Sequence, residues 1–325
     1  MSEKSAEFVL IDNHFRGLTD QHGVVVGIGD DGAVICSDPS LQIVVATDTL
    51  LESVHFPSDT PAEQIATRAL CVNLSDMAAM GAVPKWFTLA LTLPVETATT
   101  DWLQGFSRGL AYIAEQHNIA LIGGDTTAGP LTISITLLGE VPKGVSLQRS
   151  GAKPGDDIFV SGTLGDGAAA LDGLTNKDKS TLSHNPRLFE HFYCPQPQIK
   201  LGQGLRDFAS ACIDISDGLV ADLAHLCRAS QVSADIVSRH LPVHRELKQL
   251  AEEQYLQWVL SGGDDYQLCF TLPQARRDAF DKWLSGQDFF VTSIGKIRPM
   301  NHNQPLVTLD NDVILDVMGG YDHFK

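Results

Sequence analysis

The 325-residue chain is 43% hydrophobic and carries a formal net charge of −17, from 40 acidic against 23 basic residues. That length suits two domains of about 150 residues, and the acidic balance excludes a nucleic-acid binder. No apolar run reaches the roughly 18 residues of a membrane span, and Met1-Ser-Glu-Lys-Ser-Ala-Glu7 lacks the basic flank and apolar core of a secretion signal, so a cytoplasmic protein with no membrane partner is expected. The six cysteines form no Cys-x-x-Cys pair and mostly lie in apolar runs, which reads as reduced, buried thiols.

In chain order, Val24–Val26, Ala33–Cys36 and Ile43–Ala46 read as strands around a Ser37-Asp-Pro-Ser40 turn. Thr60-Pro-Ala-Glu63 is a capping box with Pro at the first helical position, predicting a helix that runs to about Met80 and stops at Gly81. Trp86–Leu93 reads as a strand. Leu103, Phe106, Leu110, Ile113 and Ala114 fall at helical spacing, and strands are expected at 119–122 and 131–140.

Ser150-Gly-Ala-Lys-Pro-Gly-Asp156 is a turn-rich joint. Beyond it strands are expected at 158–161, 211–215, 234–237, 266–272 and 289–297, and helices at 166–174, 198–209, 218–229, 244–253 and 274–285. Asp166 is expected to cap its helix. Both halves mix strands and helices, so the fold class is α/β (α+β) in two domains, 1–149 and 150–325.

The acids divide into 29 Asp and only 11 Glu, whereas a solvated helical surface favours Glu. Aspartates recur just after strands or in glycine turns: Asp30 and Asp31 in GIGDDG, Asp48 in ATDTL, Asp125 in IGGDTT, Asp214 and Asp217 in IDISDG, Asp264 and Asp265 in SGGDDY. Turn preference alone places Asp and Gly in such positions. Asp76 is different, because it lies among apolar neighbours late in a predicted helix, where Asp is a poor residue. Two like charges ~4 Å apart repel by about 4 kcal/mol at an effective dielectric of ~20. Carboxylates that converge therefore need cations between them, and hard oxygen ligands select Mg²⁺, Mn²⁺ or Ca²⁺.

Three familiar motifs fail on context. Gly27-x-Gly29-x-x-Gly32 matches a dinucleotide fingerprint, but a strand follows it instead of a helix, and two aspartates would face the pyrophosphate. No Gly-x-x-x-x-Gly-Lys-Ser/Thr occurs, and Asp310-Asn-Asp312 lacks the glycine and distal glutamate of a calcium loop. Among other groups, Arg149 at the joint could clamp a phosphate or be a plain hinge arginine. His55 could meet a ligand or be structural. Tyr321, after the Gly319-Gly320 pair, suggests docking of an otherwise fraying terminus.

Taken together, GIGDDGAVI, ATDTLLESVHF, NLSDMAAMGAVPKW, LIGGDTT, QRSGAKPGD, DISDGLVADL, SGGDDYQL and GGYDHF resemble the thiamine-monophosphate kinase family of the aminoimidazole-ribonucleotide-synthetase-like superfamily, in order and over nearly the whole chain. The resemblance implies a two-domain fold whose N-terminal domain pairs with that of a second subunit in a homodimer, and whose C-terminal domain covers ATP. It implies γ-phosphoryl transfer from ATP to thiamine monophosphate, giving thiamine diphosphate, with several Mg²⁺ ions. By position it makes Asp31, Asp48, Asp76, Asp125, Asp214 and Asp217 magnesium ligands, with Ala46 and Thr47 also at the metal. Gly124, Asp125, Arg149 and Ser216 match ATP contacts, and His55, Asp264 and Tyr321 the thiamine-phosphate side. The family usually has a hydroxyl residue at 46, where Ala46 offers only its carbonyl. At 264 relatives often carry Glu, one methylene longer than Asp.

The residues suit that chemistry. The acceptor is a phosphate already largely ionised at pH 7, so neither a general base nor a protein nucleophile is required, and transfer is expected to be direct. A selenophosphate-synthetase-like sister enzyme would need a reactive cysteine in a Gly-rich N-terminal segment, but the first cysteine is Cys36 in an apolar run. A metal-buffering protein would account for the carboxylates but not for the ordered match through GGYDHF.

Overall fold

The computed structural model describes residues 13–18, 23–28, 32–176, 182, 185–250, 254–301 and 303–310. The chain forms two compact units, the first made of residues up to Met77 with Ala82–Gly144, the second of Ala78–Gly81 with the chain from Val145 onward.

In the first unit, β1 (Val24–Val26) and β2 (Val34–Ile35) form a short antiparallel hairpin. A four-stranded sheet contains β3 (Leu41–Leu51), β4 (Val83–Leu93), β5 (Ala120–Ala128) and β6 (Thr132–Pro142) in the order β3-β6-β4-β5. Only β4 and β5 run parallel. Helices α1 (Ala62–Ala79) and α2 (Thr100–His117) complete the unit. Ile65, Ala66, Ala69, Leu70, Leu74 and Met77 of α1 are all at most 2% exposed, which is why its sequence lacks a clear polar stripe. The two helices approach so closely at Gly109 that a Cβ there would lie 2.3 Å from the Glu63 carbonyl oxygen. Helix α2 starts on Thr99, whose hydroxyl accepts from Trp102 N, and ends on a left-handed Asn118. The β1–β2 hairpin packs through Val24 and Ile35 onto a small cluster of Trp86, Ala120 and Ile122.

The expected capping box does not form. Thr60 Oγ1 is buried without a hydrogen-bond partner, and the Glu63 carboxylate instead meets Arg108 Nε at 3.4 Å. Strand β5 also runs past the Gly pair to Ala128, so Asp125 lies inside a strand and not in a turn after one.

The second unit holds a six-stranded sheet of β7 (Asp157–Ser161), β8 (Ala211–Asp214), β9 (Val232–Ile236), β10 (Leu268–Leu272), β11 (Val291–Pro299) and β12 (Val307–Leu309), in the order β12-β9-β11-β7-β10-β8. All neighbours are antiparallel except β12 and β9. Helices α3 (Asp166–Thr175), α4 (Pro186–Tyr193), α5 (Ile199–Leu205), α6 (Leu219–Ser230), α7 (Arg245–Leu250), α8 (Tyr255–Ser261) and α9 (Arg277–Leu284) connect these strands. Strands β7, β8 and β10 are buried on both faces, around the apolar runs Ile158–Val160, Ala211–Ile213 and Leu268–Phe270. Helices α4 and α8 and strand β12 escape the sequence reading, being too short for a periodic signal. Cysteines 71, 212, 227 and 269 are buried as expected, while Cys36 is exposed because its strand is on the small outer hairpin.

Register places the ends of β7 and β8 and the starts of β10 and β11 together: Asp214 faces Leu268, Val160 faces Cys269 and Ser161 faces Val291. Just beyond β7, Asp166 is the first residue of α3, and its cap is Gly165. The Asp166 carboxylate does not cap. It takes both terminal nitrogens of Arg187 on α4 at 2.9 Å and the Thr163 hydroxyl at 2.7 Å. Burial alone would raise this carboxyl, but the hydrogen bonds from Arg187 and Thr163, with the Arg187 charge, hold it below the usual carboxylate range. The pair therefore stabilises the fold above the ordinary carboxylate pKa, and the contribution is lost as pH falls through the depressed one. Arg187→Ala should cost about 3 kcal/mol at pH 7 by stranding a buried charge, and the difference from wild type should shrink in acid as Asp166 protonates. Urea melts at two pH values measure it, and a pH-independent loss would contradict this account.

Candidate active site

In the first unit the acidic positions are set by strand alternation. Ala46, Asp48 and Leu50 share one face of β3, with Leu50 buried, while Ile43, Val45, Thr47, Thr49 and Leu51 share the other. On α1, Asn73 is fully buried and bridges two elements: its amide nitrogen donates to Ala69 O at 2.8 Å and its oxygen accepts from Asp48 N at 3.2 Å. That contact places α1 against β3 at Asp48, and Asp76 follows Asn73 by three residues, on the same helix face. Asp48 and Asp76 are both half-buried. Ala46 presents only a methyl group on the Asp48 face of β3, so any oxygen it offers is its backbone carbonyl in the plane of the sheet. The Thr47 hydroxyl lies on the opposite face, bonded to Thr136 Oγ1 at 2.9 Å.

Asp125 is elsewhere. Across the sheet the register runs Asp48–Ile135–Leu89–Gly124, so Asp48 and Asp125 stand at nearly the same level on opposite edge strands. Three strand spacings put them about 14 Å apart along the sheet. Gly124 lies so close to β4 that a Cβ would meet the Leu89 carbonyl oxygen at 1.9 Å, which fixes Asp125 at its edge.

His55 sits in the turn after β3. Its Nδ1 accepts from Leu51 N at 3.0 Å, which puts the ring proton on Nε2. Its carbonyl accepts from the buried Arg68 Nε at 3.0 Å.

In the second unit, four residues join β8 to α6: Ile215, Ser216, Asp217 and Gly218. The amides of Ser216 and Asp217 both donate to Asp222 Oδ2, each at 3.0 Å. Asp222 lies in the first turn of α6 and is 4% exposed. Burial first, then the charges of Asp214 and Asp217, push its carboxyl up to about 8, against two backbone hydrogen bonds that act the other way. Asp214, Asp217 and Asp222 thus form one acidic group. Arg149 is exposed, and its carbonyl accepts from Ser230 Oγ at 3.0 Å, at the C-terminal end of α6, the end away from the turn.

The segment entering β10 interlocks with that turn. Asp264 N donates to Ser216 O at 2.9 Å, Tyr266 N to Ile215 O at 2.8 Å and Ile215 N to Gln267 O at 2.8 Å. Asp264 has a φ of 68° and its carboxylate accepts from the Tyr266 hydroxyl at 3.0 Å. Asp265, fully buried, takes Gly165 N at 2.9 Å and Gly167 N at 3.3 Å, and burial drives its pKa well above the ordinary value. Two glycines permit the approach: a Cβ at Gly167 would sit 2.2 Å from Asp264 O, and one at Gly263 2.3 Å from Ser216 O.

The structure therefore groups Asp48 with Asp76, and Asp214 with Ser216, Asp217 and Asp264, while the Arg149 backbone lies at the far end of α6. Asp125 stands apart on its strand. Asp31 and Tyr321 lie outside the described residues. Asp222 and Asp265 were not singled out from sequence as site residues. Asp222 could have been found as a second carboxylate one helical turn past IDISDG, and Asp265 as the doubled acid of GGDD. Among the described residues no group of three or more His, Cys, Asp or Glu forms a ready ion site. The donors at these places are oxygens throughout, and the repulsion felt by Asp222 is what a cation would relieve. Both features suit a hard divalent ion.

Residues 29–141 match the family model of AIR synthase related proteins, N-terminal domain, and residues 153–307 match its C-terminal domain. The chain is 44% identical to the thiamine-monophosphate kinase of Escherichia coli strain K12, over 98% of each chain. It is 33% identical to that of Bacillus subtilis strain 168, over 98% of this chain and 99% of the relative. Among solved structures it is similar to thiamine-monophosphate kinase from Stenotrophomonas maltophilia K279a, with a TM-score of 0.84 and 43% identity over 94% and 96% of the two chains. It is also similar to AaThiL complexed with AMPPCP and TMP, with a TM-score of 0.77 and 33% identity over 91% and 92%. Two matched domains and near-complete coverage at this identity lead to one assignment: the chain belongs to the thiamine-monophosphate kinase family of AIR synthase related proteins.

Proposed function

We propose that this protein transfers the γ-phosphoryl group of ATP to thiamine monophosphate, releasing ADP and thiamine diphosphate, as a Mg²⁺-dependent cytoplasmic homodimer. The observation that carries the reading is the full-length likeness to thiamine-monophosphate kinases, one of them solved with an ATP analogue and TMP. No helix among the described residues is long and apolar enough to cross a membrane.

Asp31, Asp48, Asp76 and Asp125, with the Ala46 and Thr47 carbonyls, are the proposed metal-holding oxygens of residues 1–149. Asp214 and Asp217 are those of residues 150–325. Bound Mg²⁺ supplies the positive charge that lets two anionic substrates approach a chain at −17. Gly124, Asp125, Arg149 and Ser216 bind and orient the nucleotide. His55, Asp264 and Tyr321 hold the acceptor. No side chain need take a proton, because the attacking phosphate oxygen is already ionised, and none need form a covalent adduct.

The sheet geometry favours a second copy. Asp48 and Asp125 occupy opposite edges, too far apart to share an ion within one chain. Strands β3 and β5 meeting across a dimer would bring Asp48 beside Asp125 of the second copy. Val45 (59% exposed) and Ile43 (40%) on the open face of β3 supply apolar surface for it.

Labelled ATP with thiamine monophosphate should yield labelled thiamine diphosphate with inversion at phosphorus, and unphosphorylated thiamine should be a very poor acceptor; comparable turnover of the two acceptors would overturn the base-free mechanism. Asp48→Asn and Asp125→Asn should each be inactive, yet mixing and re-equilibrating them should restore up to about a quarter of wild-type activity, since half the dimers are mixed and each has one intact site. Two inactive variants that stay inactive on mixing would refute the shared site. Asp76→Asn should abolish most activity but leave the metal-free protein as stable as wild type or more so, because it removes repulsion with Asp48; a large drop in its metal-free melting temperature would mark Asp76 as a structural carboxylate instead.

A further inference from the structure

We infer that Asp222 is a positioning residue for nucleotide binding: its single oxygen Oδ2, receiving both the Ser216 and the Asp217 amides, sets the conformation of the β8–α6 turn that presents those two residues. The inference rests on the functional reading above and extends it to a side chain that reading does not use.

The other anchors of the turn are main-chain bonds, Asp264 N to Ser216 O and Tyr266 N to Ile215 O among them, and none of them takes the Ser216 or Asp217 amide. Ile215 N is taken by Gln267 O, and Asp222 N closes onto Gly218 O at 3.0 Å. Gly218 has a φ of 115°, and a Cβ there would meet Ser261 and Gly262 at 3.0 to 3.1 Å, so the chain can turn into α6 only without a side chain at that point. Between these ends, the Ser216 and Asp217 amides both point at one carboxylate oxygen. With both amides turned inward, the side chains of Ser216 and Asp217 stay half-buried at the surface while Asp222 itself is 4% exposed. Asp222 therefore reaches a ligand only through the residues whose backbone it holds.

The same geometry specifies what the position requires. Two N–H groups converge on one oxygen, so an acceptor at that distance from the helix suffices and a charge is not needed. Asparagine offers the oxygen at the same reach and drops the repulsion from Asp214 and Asp217. Glutamate keeps the charge but moves the oxygen by one methylene. A residue acting by charge, as a metal ligand would, reverses that order.

The test compares wild type, Asp222→Asn and Asp222→Glu as full-length proteins. AMPPCP with Mg²⁺ is titrated by calorimetry, and KM values are measured for ATP and for thiamine monophosphate. The Asn variant should bind AMPPCP within about threefold of wild type and the Glu variant about tenfold or more weakly. In the Glu variant KM for ATP should rise similarly while KM for thiamine monophosphate moves less than about threefold. Glu binding as well as or better than Asn, or both variants binding like wild type, would overturn the inference. A wild type that binds AMPPCP but does not phosphorylate thiamine monophosphate would overturn the functional reading alone, because the calorimetric comparison does not involve the acceptor.

Discussion

The site end of the C-terminal sheet depends on backbone hydrogen bonds between the turn after β8 and the segment entering β10. Asp264 N to Ser216 O, Tyr266 N to Ile215 O and Ile215 N to Gln267 O extend the β8–β10 ladder past the last paired residues, Asp214 and Leu268. The extension holds Ser216 and Asp264 in adjacent loops, although 48 positions separate them in sequence. These are the residues proposed for nucleotide and acceptor, so their relative placement is fixed by main chain and not by long side chains. Close approach of this kind excludes a Cβ, and Gly167, Gly218 and Gly263 surround the contact.

The second constraint is charge. Carboxylates near one another in a partly buried place repel, and the structure shows three ways of tolerating this. Asp166 is paired bidentately with Arg187 and stays ionised. Asp265 and Asp222 accept backbone amides and are driven toward the neutral form by burial. Asp48, Asp76 and Asp217 stay half-buried, and Asp214, 6% exposed, ends the edge strand β8. This third group, together with Asp31 and Asp125, is the one proposed to hold metal. The division follows from environment, since all seven are the same residue type.

Much of this was legible in the sequence because the informative residues sit in short, contiguous strings. The two-part α/β organisation, both long N-terminal helices and nearly every strand follow from periodicity and turn residues. Most of the failures share a cause, a partner distant in sequence. The capping box at Thr60 failed because Arg108, 45 residues on, takes Glu63. Asp166 failed as a cap because Arg187 claims its carboxylate. Asp125 was read as a strand-end turn because Gly-Gly normally breaks a strand, whereas here parallel pairing with β4 carries the strand through. Asp265 reads only as part of SGGDDY because the amides it takes, Gly165 and Gly167, lie about 100 residues away. Asp222 escapes notice although its partners Ser216 and Asp217 stand in the turn just before its helix.

Strand β3 makes the last connection between fold and chemistry. It is 11 residues long, stands at a sheet edge and contains neither Pro nor Lys, the residues that usually protect such an edge from pairing with another chain. Its open face carries Ile43, Val45 and Leu51 beside threonine hydroxyls that pair across to β6 at Thr136 and Ser134. An edge so unguarded is an aggregation hazard unless it has a specific partner. The same strand carries Asp48 on its other face, and the sheet's opposite edge carries Asp125 at the same level. A second copy that covered the edge would at once remove the hazard and supply the missing carboxylate. Under the proposed arrangement one strand would meet both needs, since covering the exposed edge would also bring a second chain to Asp48.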